Sequence, residues 1–133
     1  MLKLDHLGIA VKNIAEARSF YESLGLAVLS EEVVEQEGVR AALIPIGDSR
    51  IELLEPLGEH TPVARFLAKR GEGLHHLAFH VEDISLAFEQ MKQSGARLLS
   101  DQIQTGAGGH LYFFVHPASA GGVLLEICGQ PKS

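Results

Sequence analysis

The sequence predicts an α+β fold in which two tandem βαβββ modules form a curved mixed sheet. The first observation behind this is an internal repeat. Asp5-His6-Leu7-Gly8-Ile9-Ala10-Val11 aligns with His75-His76-Leu77-Ala78-Phe79-His80-Val81, and the register runs on without a gap through Ile14 and Ile84, Ala17 and Ala87, Gly25 and Gly95, and Leu29-Ser30 and Leu99-Ser100. A register held over that span marks two copies of one structural unit. The second is that each copy switches from two-residue alternation to helical spacing and back to strand-like runs. The third is size. The chain has 133 residues, 46% hydrophobic and 21% charged, the profile of one soluble globular domain, and half of such a chain has too little core to stand alone.

The elements follow in order. Residues 4–11 alternate in character and read as a strand. Ile14, Ala17, Phe20, Tyr21 and Leu24 then recur at helical spacing. Asn13 sits at the N-cap, where a short polar side chain accepts from a free amide of the first turn, with Glu16 at the capping-box spacing. Gly25 marks the stop, since glycine tolerates the left-handed conformation that ends a helix. Strands near 27–35, 38–46 and 49–55 complete the first copy. Thr61-Pro62 with Val63, Phe66 and Leu67 reads as a short linker helix. The second copy repeats the scheme: strand 74–81, N-cap Asp83, a helix carrying Ile84, Ala87, Phe88 and Met91, a stop at Gly95, and strands near 97–100, 110–116 and 122–129. Residues 1–133 are thus read as a single domain, with repeat one about 1–58, a linker helix about 61–70 and repeat two about 72–130.

Composition excludes several functions. A net charge of −6 argues against bulk nucleic-acid binding, which runs on phosphate neutralisation. No stretch approaches the ~20 apolar residues of a membrane span, and Met1-Leu2-Lys3-Leu4-Asp5-His6 has no signal-peptide core. One cysteine, Cys128, rules out an internal disulfide framework and points to a reducing cytoplasm. Seven histidines in so short a chain point to chemistry.

Strand alternation sorts those histidines. Leu7, Ile9 and Val11 share the side expected to meet the helix, while His6, Gly8 and Ala10 share the other. In the fifth strand Leu77, Phe79 and Val81 oppose His76, Ala78 and His80. In the fourth, Glu52 points away from Ile51 and Leu53; in the eighth, Glu126 points away from Val123, Leu125 and Ile127. Each copy therefore offers one histidine on its first strand and one glutamate on its last, all opposite the helices. One strand histidine is usually a hydrogen-bonded structural residue, and one glutamate between aliphatics is usually a wet face. Two of each at equivalent repeat positions point to a metal-binding cup. Imidazole and carboxylate without thiolate suit one divalent ion such as Co, Mn, Zn, Ni or Fe. Four protein ligands leave two open positions on an octahedral ion, which suits a chelating substrate.

The other candidates have plainer readings. Glu55 faces with Ile51 and Leu53 and ranks below Glu52. His75 is structural, His60 solvated, and His80 is placed where it can meet a substrate. Cys128 is a buried filler. Gly106-Ala107-Gly108-Gly109 lacks the Lys-Ser/Thr of a phosphate loop and reads as a mobile loop at the cavity mouth. Glu31, Glu32 and Glu37 form a solvated face. Arg40, Arg50, Arg65, Lys69, Arg70 and Arg97 are the bases available to an anionic ligand.

The paired modules with a His-Glu-His-Glu set resemble the vicinal oxygen chelate superfamily of glyoxalase-like fold, and within it the methylmalonyl-CoA epimerase family. The stretches that carry this span nearly the whole chain: Leu4 to Val11, Glu52-Leu53-Leu54-Glu55-Pro56-Leu57, Thr61 to Leu67, Gly73-Leu74-His75-His76-Leu77-Ala78, and His116-Pro117 through Gly121-Gly122-Val123-Leu124-Leu125-Glu126. The resemblance implies one divalent metal held by His6, Glu52, His76 and Glu126, an acyl-CoA thioester substrate interconverted between its (R) and (S) methylmalonyl forms, and a homodimer. Some members carry Gln at the Glu52 position. Some bacterial members also carry a Glu on the third strand, three residues after a Gly, as one of two bases. Here Ala41 follows Gly38 at that position. Glu35, Glu37 or a water-linked group could substitute, or Glu126 could serve as both base and ligand. A glyoxalase I-type lyase with the same ligands and a non-catalytic small-molecule-binding protein of the same fold are the alternatives.

Overall fold

The computed structural model describes residues 2–131. They divide into two compact units, residues 6–75 and residues 2–5 with 76–131. Among the described residues no helix is long and apolar enough to cross a membrane.

The elements of the first repeat are β1 (Lys3–Ala10), α1 (Ile14–Ser23), β2 (Ser30–Val34), β3 (Val39–Ile46), β4 (Ser49–Pro56) and α2 (Pro62–Arg70). The strands stand in the order β2-β3-β4-β1. β1 runs parallel to β4, and the other two pairings are antiparallel. The helix starts are set locally. The Asn13 side chain accepts from the Glu16 amide at 3.1 Å, and the Glu55 carboxylate accepts from the Ile14 amide at 2.8 Å. Glu55 therefore satisfies two needs at once, an otherwise unpaired first-turn N–H and the positive end of the helix dipole. The predicted stop at Gly25 is a left-handed glycine (φ 92°), as is Gly95 (φ 85°) in the second repeat.

This sheet is covered on one face by α1 and at one end of the other face by α2. Val11, Ile14, Ala42, Ile44, Ile51 and Leu53 are buried together, with Leu7, Ile9, Ala17 and Tyr21 against them, so the predicted helix side of β1 does meet α1. The opposite face departs from expectation at one end. Ala10, Val39, Leu54 and Val63 form a second buried cluster with Phe66 and Leu67, so the linker helix α2 covers that end with its own apolar stripe. Ala10 is core, not the wall of a cavity.

That packing depends on Gly38, which lies between β2 and β3 with φ 68°. A Cβ there would stand 2.6 Å from Thr61 Cγ2. Thr61 cannot swing away freely, because its Oγ1 caps α2 by accepting from the Ala64 amide at 3.2 Å. Gly38→Ala combines a left-handed penalty of about 1–2 kcal/mol with loss of a cap of about 1 kcal/mol. Urea unfolding should show about 2–3 kcal/mol less stability.

The second repeat contains β5 (Gly73–Val81), α3 (Ile84–Gln93), β6 (Gln104–Thr105), β7 (Leu111–Val115) and β8 (Leu124–Gly129). The order is β5-β8-β7-β6, with β5 and β8 parallel and the rest antiparallel, the same scheme as the first. Asp83 caps α3 through the Leu86 amide at 3.2 Å. Ile84, Phe88, Phe113, Val115 and Ile127 are buried together, and the Phe88 and Phe113 rings meet edge to face at 5.1 Å. The strand predicted near 97–100 is not a ladder. That segment makes a single bridge, Leu98 to Val115, and the edge strand is instead the two-residue β6. Two backbone bonds flank that bridge, from the His116 amide to the Arg97 carbonyl at 2.8 Å and from the Leu99 amide to the Phe114 carbonyl at 3.0 Å, and the Arg97 amide is taken by the Ser119 hydroxyl at 2.9 Å, so the pairing with β7 goes no further at that end.

Candidate metal centre

Each unit brings its predicted histidine and glutamate together. In the first unit Gly8 pairs with Glu52 across β1 and β4. The His6 side chain, one pleat away on the same face, places Nδ1 3.5 Å from Glu52 Oε2. In the second unit Ala78 pairs with Glu126 across β5 and β8, and His76 Nε2 stands 3.4 Å from Glu126 Oε1. The registers are equivalent: Leu43 lies opposite Glu52 and Phe114 opposite Glu126. Small residues beside each glutamate, Gly8 and Ala78, leave room for the imidazoles to lie over the neighbouring strand.

Burial separates the four. His6 is 4%, His76 7% and Glu126 7% exposed. Buried ionisable groups need partners or a cation, because removal from water costs several kcal/mol per charge. Glu52 is more open and also accepts from Arg50 Nε at 3.2 Å. Two donors about 2.1 Å from one ion lie roughly 3–3.4 Å apart, so the His–Glu separations in each unit suit neighbouring ligands of a divalent cation.

His110 is a site residue that the strand pattern did not single out. Its Nε2 lies 3.4 Å from Glu126 Oε2, so the two Glu126 oxygens have different histidine neighbours. Its ring stacks on Tyr112 at 5.8 Å, Tyr112 meets Phe114 at 5.6 Å, and Phe114 meets His76 at 6.1 Å. Alternate residues of β7 thus form an aromatic row beside Glu126. The signal was present as His110, Tyr112 and Phe114 at two-residue spacing, but the run Leu111-Tyr112-Phe113-Phe114-Val115 is apolar on both faces and hides its alternation.

The remaining candidates sort as follows. Glu55 caps α1 and is also 3.9 Å from Arg40. His75 meets the Phe66 ring edge-on at 5.1 Å, and burial pushes its imidazole below the usual range, a structural setting. His60 is exposed; its carbonyl accepts from Arg65. His80 lies opposite Cys128 in the β5–β8 pairing. Cys128 is 1% exposed, with Sγ 3.5 Å from the Phe79 carbonyl. Glu31 and Glu32 are exposed on β2. Glu35 and Glu37 lie in an exposed 3-10 turn, and Ala41 belongs to the apolar cluster under α2. Among the bases, Arg65, Lys69 and Arg70 lie on α2, with Arg70 over the Phe66 ring at 5.8 Å.

A sequence profile of the Glyoxalase/Bleomycin resistance protein/Dioxygenase superfamily matches residues 5–114. The uncharacterized protein YqjC of Bacillus subtilis is 43% identical, over 99% of this chain and 94% of that one. The ethylmalonyl-CoA/methylmalonyl-CoA epimerase of Cereibacter sphaeroides is 38% identical, over 94% of this chain and 96% of that one. A solved structure of a methylmalonyl-CoA epimerase in complex with methylmalonyl-CoA and NH4+ superposes with a TM-score of 0.90 at 36% identity, covering 98% of this chain and 95% of that one.

Proposed function

We propose, for a chain that belongs to the glyoxalase/bleomycin resistance protein/dioxygenase superfamily, that it is a metal-dependent epimerase interconverting (R)- and (S)-methylmalonyl-CoA. The observation that carries this is the His–Glu pair set at equivalent registers in both units, in a chain 38% identical to an ethylmalonyl-CoA/methylmalonyl-CoA epimerase over almost the full length of both. Its ligands are His6, Glu52, His76 and Glu126. Two neutral imidazoles and two carboxylates balance a divalent charge and match a borderline ion. Glu at position 52, where some members carry Gln, lowers the charge of protein plus ion by one. The reading also takes the protein as one domain, a cytoplasmic homodimer, supported by the family resemblance and the single cysteine.

The carbon between a thioester and a carboxylate is a weak acid, and the barrier to its ionisation is the charge that develops on the thioester oxygen. A divalent cation held by these residues would supply Lewis-acid stabilisation of that charge. The chain's part is the proton. Glu126 is the base on one face: its carboxylate is buried, held between His76 and His110, and ionisable. The rings of Tyr112 and Phe114 lie in the row beside it, with Phe114 opposite Glu126 in the β7–β8 pairing. Inversion needs delivery from the opposite face. Ala41 has no proton to give, so that step falls to another group, Glu35, Glu37 or a water. Arg40, Arg50, Arg65, Lys69, Arg70 and Arg97 are the bases available to the anionic CoA moiety.

Incubation of the metal-loaded protein with (R)-methylmalonyl-CoA in deuterated water tests the reading. It predicts one deuterium at the α-carbon, appearing together with the (S) form. A protein that leaves the α-proton in place and instead turns over a glutathione hemithioacetal is a glyoxalase I-type lyase, and one that does neither is a binding protein.

A further inference from the structure

The two units share one pairing scheme, so each position on the ligand face of one has a counterpart in the other. Counting along the strands from the His–Glu pair, Ala10, Val39 and Leu54 in the first unit correspond to His80, His110 and Cys128 in the second. In the first unit these positions are apolar, buried and roofed by α2. In the second all three are metal-ligating types. Two of them cluster tightly with Glu126: the ligand atoms of His110, Glu126 and Cys128 all lie within 4.8 Å of one another.

We propose that His110 Nε2, Glu126 Oε2 and Cys128 Sγ form a second cation site, taking a thiophilic divalent ion such as zinc. Cys128 as thiolate adds one negative charge to that of the shared Glu126 carboxylate, and three protein ligands leave the fourth tetrahedral position for water. His110, with its side chain 42% exposed, opens the site to solvent, while Cys128 forms its floor. Loading releases the Cys128 thiol proton to solvent and gives up its weak bond to the Phe79 carbonyl. Because Glu126 is shared, an ion here ties up the oxygen that faces His110. This consequence rests on the epimerase reading: the second ion inhibits, and the site makes the enzyme sensitive to excess zinc.

The experiment adds Co(II) to protein already carrying one equivalent of its cation. Cys128 is the sole cysteine of the chain, so thiolate-to-cobalt absorption in the near ultraviolet reports on it alone. The band should appear with the second equivalent in the wild type. It should vanish in Cys128→Ser and in His110→Ala, both still binding the first equivalent. Excess zinc should slow α-proton exchange by the wild type about tenfold or more, since a positioned base supplies at least that much, and leave Cys128→Ser near its own uninhibited rate. Absence of the band at saturating cobalt, its appearance with the first equivalent, or its persistence in His110→Ala overturns the second site. Loss of α-proton exchange in the wild type, with the band intact, would instead overturn the epimerase reading alone.

Discussion

Glu126→Gln is expected to lower α-proton exchange by about 10²–10⁴-fold, the range supplied by one positioned general base, while the protein keeps its cation with an affinity within about tenfold of wild type. The amide retains a carbonyl oxygen able to ligate and is nearly isosteric, so the site between His76 and His110 stays filled. What disappears is the basicity. Deuterium incorporation rate and metal content measured on the same sample separate the two roles. A parallel loss of cation and exchange would make Glu126 a ligand only and would move the base elsewhere.

The second large effect belongs to the histidines. His6→Ala and His76→Ala should each weaken cation binding by more than about 100-fold, beyond the ~10–100-fold that loss of an outer-sphere partner brings, and exchange should fall with occupancy. Each removes a buried imidazole and leaves a glutamate with one neighbour fewer. Glu52→Gln offers the contrast. Glu52 is the most exposed of the four and is shared with Arg50, and Gln is an accepted occupant of that position in the resembling family, so cation and exchange should both survive. Chelator competition followed by activity at saturating cation distinguishes these variants.

Much of the fold was legible because its signals are local. Asn13, Asp83 and Thr61 cap the three helices where short polar side chains precede helical spacing. The ligand faces of β1, β4, β5 and β8 could be read from strand parity, because each of those strands sets a histidine or glutamate opposite its aliphatic residues. Three features escaped for physical reasons. A two-residue strand such as β6 carries no periodicity, whereas 97–100 has strand-like composition but holds a single bridge to β7, its Arg97 amide going to the Ser119 hydroxyl. The roofing of Ala10 by α2 is tertiary: an alanine reads the same beside a cavity as beneath a helix. The place of His110 beside Glu126 depends on the antiparallel register of β7 and β8, which parity within one strand does not supply.

The central claim is that one cation takes an imidazole and a carboxylate from each repeat. Pulsed electron paramagnetic resonance on protein loaded with one equivalent of Mn(II) tests it most directly, because nitrogen couplings count the imidazoles bound to that ion. Two directly coordinated imidazoles are predicted in the wild type, with one remaining in His6→Ala and one in His76→Ala when each is saturated. A single imidazole in the wild type, or a count that either substitution leaves unchanged, contradicts the account.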